Sequence, residues 1–213
     1  MTRRWSRTSP PPTSPQYGLA WRRRSRTSGP RCATPGTPTT RGPCSCRPTY
    51  PSPIPAGNGF RYGQTGYTRQ SVGGCGFWNA DADWANATAL TTINNTVRAA
   101  ITQSGLSNTR LLELQSTFNG RRLCEKTVGL YEEVGLTSWR QSTAVDKTEW
   151  VNQIRTVTTV GSNYYLQESI HPNYWGQLAV RSCVRQSYHL NRGGTCAIAG
   201  TGILNGEPRM TLS

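Results

Sequence analysis

Glu168, Ser169, His171 and Pro172 fall within the stretch ESIHPNYWGQLA, residues 168–179. Proton transfer is the chemistry such a group suits. His171 is one of two histidines in the chain, and imidazole is the side chain best matched to acid–base work near neutral pH. Pro172 biases the residue before it to an extended conformation. His171 is therefore expected on a loop, with a helix starting just beyond to hold it in place. Glu168, three residues upstream, is spaced to accept from one ring nitrogen and leave the other as a general base. Such a pair requires a nucleophile, normally a serine at a strand-to-helix turn elsewhere. Two other readings compete. A histidine before a helix is commonly a surface or capping residue, and Glu-x-x-His pairs ligate iron on bundle helices. The metal arrangement needs a second such pair, which the sequence lacks, so no cofactor is expected.

The loop needs elements to position it. Asn173 is the expected N-cap of the last helix, with Trp175, Leu178, Ala179 and Cys183 facing inward. Leu90, Ile93, Val97 and Ile101 recur at three- and four-residue steps, predicting an amphipathic helix from Asp83 that Gly105 ends. TRLLELQ (109–115) reads as a short strand, and STFNGRRLCE follows its carboxyl end, the edge where open α/β sheets build sites. TYPSPIP (49–55) reads as a strand end breaking into a loop. AVDKTEWVNQIRTVTT (144–159) reads as a helix, with a capping-box-like start at Asp146 and Glu149 and a stripe of Trp150, Ile154 and Val157. Residues 56–80 form a long irregular stretch for which Cys75 is the expected tie. Its aromatics, Phe60, Tyr62, Tyr67, Phe77 and Trp78, suit a core or cleft better than a lectin-like surface, and a non-catalytic glycan- or lipid-binding module is the alternative function they leave open. The order strand, helix, strand, helix, helix indicates an α/β domain with a mostly parallel sheet, of which residues 49–190 carry part. Residues 191–213 read as a C-terminal tail with a disulfide loop.

The net charge of +14 invites a nucleic-acid reading, but ten arginines lie in residues 1–48 and the first acid is Asp81. Without those ten, 14 basic residues face 10 acidic ones, a net of +4. Residues 1–48 also hold most of the prolines and no apolar periodicity, and are read as a disordered leader. Its prolines oppose an amphipathic transit helix, and no apolar run follows the paired arginines of TRRW, so no signal peptide is legible. A nucleic-acid-binding arm is the alternative. The favoured expectation is an out-of-frame stretch, because its composition is that of GC-rich coding DNA in the wrong frame and patterned sequence begins abruptly near RPTYPSPIP. Cys75, Cys124, Cys183 and Cys196 lie in the domain without a CxxC pair, which disfavours zinc. Two disulfides are expected; three pairings are possible, and Cys75–Cys124 with Cys183–Cys196 is favoured. No apolar run is long enough to span a membrane.

ESIHPNYWGQLA resembles the last conserved block of the SGNH (GDSL-type) hydrolases, in which an acid stands three residues before a His-Pro pair and a helix follows. The run from NGRRLCEKTVGLYEEVGLTSW to SCVRQSY is similar to the C-terminal half of secreted actinobacterial lipases and esterases of that family. The resemblance covers about residues 48–190. It implies a three-layer α/β/α fold, a secreted and monomeric protein, and a lipid or acyl-ester substrate, with no specific nucleic-acid partner. His171 would be the general base and Glu168 its orienting acid, although aspartate is usual there; the backbone carbonyl of Ser169 is the alternative. The family's nucleophile and oxyanion blocks, G-D-S and G-x-N-D, are absent from the sequence, so no catalytic serine is assigned and the chain is expected to be inactive. Two sequons, at Asn86 and Asn94, fall in the expected helix and carry little weight.

Overall fold

A computed structural model describes residues 45–65, 67–159, 162–165 and 168–213, with backbone alone for Ser45 and for residues 156–159 and 162–165. The leader reading of residues 1–44 lies outside them. In chain order the elements are β1 (Ser45–Pro48), α1 (Thr68–Ser71), α2 (Asn79–Trp84), α3 (Thr91–Ser104), β2 (Thr109–Glu113) and α4 (Ala144–Lys147). There follow β3 (Thr156–Thr159), β4 (Ser162–Tyr165), α5 (Tyr174–Leu190), β5 (Gly194–Leu204) and β6 (Glu207–Leu212). This is a mixed α/β fold. Its open four-stranded sheet has the order β1-β2-β5-β6, parallel in its first two pairings and antiparallel in the last. β1 uses four residues that composition had grouped with the leader, and Pro48, which has no N–H to donate, closes it.

The expected helices at 83–104 and after Pro172 are present. A π-helical turn, Ala85–Leu90, joins α2 to α3, and Gly105 ends the run in the left-handed conformation at φ +62°. The inward face of α3 differs from the apolar stripe. Asn94 is fully buried, while Ile93 is 49% exposed. Asn94 accepts from the Tyr50 N–H and donates to the Tyr50 carbonyl, so the helix clamps the chain leaving β1 through an amide. Asn86 likewise donates to the carbonyls of Ile54, Pro55 and Ala82.

The helix expected over 144–159 is not formed. α4 stops at Lys147, and the chain then runs extended into the antiparallel β3–β4 hairpin. Val151, Ile154, Thr156 and Val157 are β-branched and favour an extended backbone. The Trp150 N–H donates to the Arg121 carbonyl, outside the segment. The Glu149 carboxylate, expected to cap a helix, instead accepts from the Cys124 N–H and Arg61. The side chain of Val157 lies outside the described residues.

Residues 191–213, read as a tail, supply β5 and β6, joined at Asn205 (φ +54°) and Gly206 (φ +78°). The core gathers Leu112 and Leu114 from the β2 region, Phe118, Leu123, Val145, Trp150, Val151, then Trp175 and Ala179 of α5 and Leu212 of β6. Trp150 meets Phe118 edge to face at 6.1 Å. Both favoured disulfides are present: Cys75–Cys124 ties the irregular stretch to the loop after β2, and Cys183–Cys196 ties α5 to β5.

Candidate functional site

Backbone hydrogen bonds carry position from the sheet to His171 in a few steps. At the carboxyl end of β1, the Thr49 N–H donates to the Leu112 carbonyl, and the Thr49 hydroxyl accepts from the Leu114 N–H. The loop after β2 then reaches Arg121, whose carbonyl holds Trp150. The Asn173 N–H donates to the Trp150 carbonyl at 2.9 Å, and Val151 bridges Pro172. The Asn152 N–H donates to the His171 carbonyl at 2.9 Å, and the Ile170 N–H donates to the Asn152 carbonyl at 3.0 Å. On the other side α5 fixes the loop. The Asn173 side chain accepts from the Trp175 and Gly176 N–H groups and donates to the Glu149 carbonyl. Gly176 is required here, because a Cβ would collide with the Trp150 carbonyl oxygen.

Within this frame residues 168–171 form a turn, closed by the His171 N–H donating to the Glu168 carbonyl at 3.1 Å. Ile170, at its tip, has φ +57°, a strained conformation for a β-branched residue. The imidazole is exposed, and its Nδ1 lies 3.0 Å from the Ser169 carbonyl oxygen. A carbonyl only accepts, so Nδ1 carries the proton, and in the neutral ring Nε2 keeps its lone pair. The Ser169 hydroxyl accepts from the Arg155 N–H at 3.2 Å and is occupied in holding the turn. The structure thus brings His171 and the Ser169 carbonyl together. The exposed Glu168 carboxylate makes no hydrogen bond to the ring among the described residues; it lines a shallow groove with Asn152, Gln153 and Arg155. Among the described residues no hydroxyl or thiol stands within hydrogen-bond reach of Nε2. No group of three or more His, Cys, Asp or Glu among them suits a metal ion, and none of their helices is long and apolar enough to cross a membrane.

Beside the His171 loop opens a cleft of about 440 Å³, lined by Leu130, Trp139, Val151, Asn152, Tyr174 and Trp175, among others. Sequence reasoning missed it, since its aromatic wall comes from two segments some thirty-five residues apart. Trp139 and Tyr174 stand 5.2 Å apart between ring centroids, tilted by 56°. The aromatics singled out in 56–80 lie elsewhere: Phe60 is core, Tyr62 and Phe77 pack against it, and Tyr67 and Trp78 are exposed.

Glu149 also reaches the cleft. It is buried, and burial pushes its carboxyl above the usual carboxylate range, against the pull of Arg61. Glu133 completes the group from the far side of Arg61. Burial would raise its carboxyl, but hydrogen bonds from Tyr62, the Leu130 N–H and Arg61 hold it below the usual range. This network joins the cleft floor to the Cys75–Cys124 disulfide through the Cys124 N–H. No protein-family model, no curated protein and no solved structure matches this chain.

Proposed function

We propose that the described residues are the C-terminal part of a carboxylic ester hydrolase of the SGNH type, a three-layer α/β/α protein in which His171 is the general base. One observation carries the reading: the His171 ring is held at Nδ1 by the Ser169 carbonyl, on a turn locked to α5, with Nε2 left unengaged among the described residues. A base in that tautomer takes the proton of a serine hydroxyl as its oxygen attacks an ester carbonyl. It then returns the proton to the departing alcohol, and a water repeats the cycle to free the acid. A backbone carbonyl orients the ring without being protonated itself, so Glu168 need not touch it.

The substrate is a lipid or acyl-glycan ester, bound by a monomer in the adjoining cleft without a cofactor. The two disulfides favour an oxidising, extracellular setting. The nucleophile is not supplied by this sequence, which has neither G-D-S nor G-x-N-D. Turnover is therefore expected only when a segment bearing those blocks is joined upstream. In such a chain, hydrolysis of p-nitrophenyl esters should fall at least about 10³-fold on His171→Ala. Hydrolysis unchanged by that substitution would contradict the assignment.

A further inference from the structure

We propose that the cleft beside His171 binds a sugar ring, so that the ester handled at this site is an acylated glycan. The inference deepens the ester-hydrolase reading by naming the alcohol half of its substrate.

Its first support is the aromatic wall. Trp139 is 39% exposed and Tyr174 is 48% exposed, two large rings open to water in one cleft. They are held there by specific contacts. The Trp175 indole N–H donates to the Trp139 carbonyl at 2.8 Å, and the Trp175 ring meets Tyr174 edge-on at 4.9 Å. The Arg140 guanidinium lies over the Trp139 ring at 4.9 Å. A platform fixed in advance loses little side-chain freedom on binding. Such rings offer flat apolar faces of the size of a pyranose.

The second support is polar. Asn152 binds the His171 loop through its backbone, while its side chain makes no hydrogen bond among the described residues. Gln177 donates to the Pro172 carbonyl and keeps its own amide oxygen for a ligand. An acyl chain filling this cleft would draw water away from these amides and return no hydrogen bond. Sugar hydroxyls restore those bonds while the ring's C–H face covers the aromatics. Asn152 and Asn173, which flank the His171 turn, both line the cleft, so a bound sugar lies beside the turn that carries the proposed base.

The test is a titration of the full chain with xylohexaose, cellohexaose and chitohexaose, followed by calorimetry and tryptophan fluorescence, with octanoate run in parallel. Saturable binding of at least one oligosaccharide is expected, weakened at least about tenfold by Trp139→Ala and about threefold or more by Asn152→Ala. Trp84→Ala, at an exposed residue that does not line the cleft, should leave affinity unchanged. Saturation by octanoate with no response to any of the sugars would overturn the proposal, as would sugar binding that persists in both Trp139→Ala and Asn152→Ala. Binding needs no nucleophile. A failed sugar titration therefore leaves the role of His171 standing, and a failed hydrolysis test leaves the sugar cleft standing.

Discussion

Ile170 holds an unfavourable backbone conformation one position before the proposed base, and the cost is local. Its side chain is 43% exposed, so little packing is lost on removing it. Ile170→Gly should raise stability by about 0.5–1 kcal/mol in urea denaturation by relieving the strain. The same change should loosen the His171 ring, seen as weaker protection of the Nδ1 proton by NMR. His171→Ala, at an exposed ring, should change stability by less than about 0.5 kcal/mol, separating function from folding. Asn173→Ala should cost about 1–2 kcal/mol, since the cap also braces the Glu149 backbone. Acid sensitivity is expected from Glu113, whose carboxyl is held below the usual range by the hydrogen-bonded Arg98 guanidinium, partly offset by burial. The folded state then binds fewer protons than the unfolded one. The pair's contribution is complete above the unfolded carboxylate value and is lost as pH falls through the lower folded value. Glu113→Gln should flatten that acid limb of the unfolding midpoint measured against pH.

At the level of elements, the two disulfides close loops of different length, with sequence separations of 49 for Cys75–Cys124 and 13 for Cys183–Cys196. Chain entropy predicts about 4 kcal/mol lost with the first and about 3 with the second. Paired Cys→Ala variants unfolded in urea would check the order; a larger loss for the shorter loop would contradict it. Much of this framework was legible in sequence. α5 announced itself through Asn173 and the spacing of Trp175, Ala179 and Cys183, and Gly105 marked the end of α3. The segment after α4 misled because Trp150, Ile154 and Val157 repeat at a helical spacing. Its β-branched composition and the Arg121 carbonyl waiting for Trp150 decided otherwise. The β5–β6 hairpin was missed although Asn205-Gly206 is a strong hairpin turn signal. At the site, the loop position of His171 could be read from Pro172. The Ser169 carbonyl contact stood only as an alternative to Glu168, because φ at Ile170 decides where that carbonyl points.

Across the whole molecule, β1 is an end strand whose outer edge has no partner among the described residues. Tyr50 just beyond it and Ile93 of α3 are exposed, as are Val184 and Tyr188 of α5. The last two flank Ser187, whose hydroxyl lies 3.0 Å from the Cys46 thiol in β1. Parallel sheets are ordinarily covered on both faces and their edges guarded. On the ester-hydrolase reading, the strands that bear the nucleophile pair with this edge and bury those residues. Residues 1–44, which precede β1 and hold nine arginines and no acid, do not have the apolar pattern for such strands. The most direct measurement is therefore the genomic sequence over several hundred bases upstream of the Tyr50 codon, translated in all three frames. A G-D-S block followed by a G-x-N-D block, in a frame other than the present one, is the expected result. An uninterrupted reading in the present frame, with neither block, would contradict the assignment of His171 to an ester hydrolase.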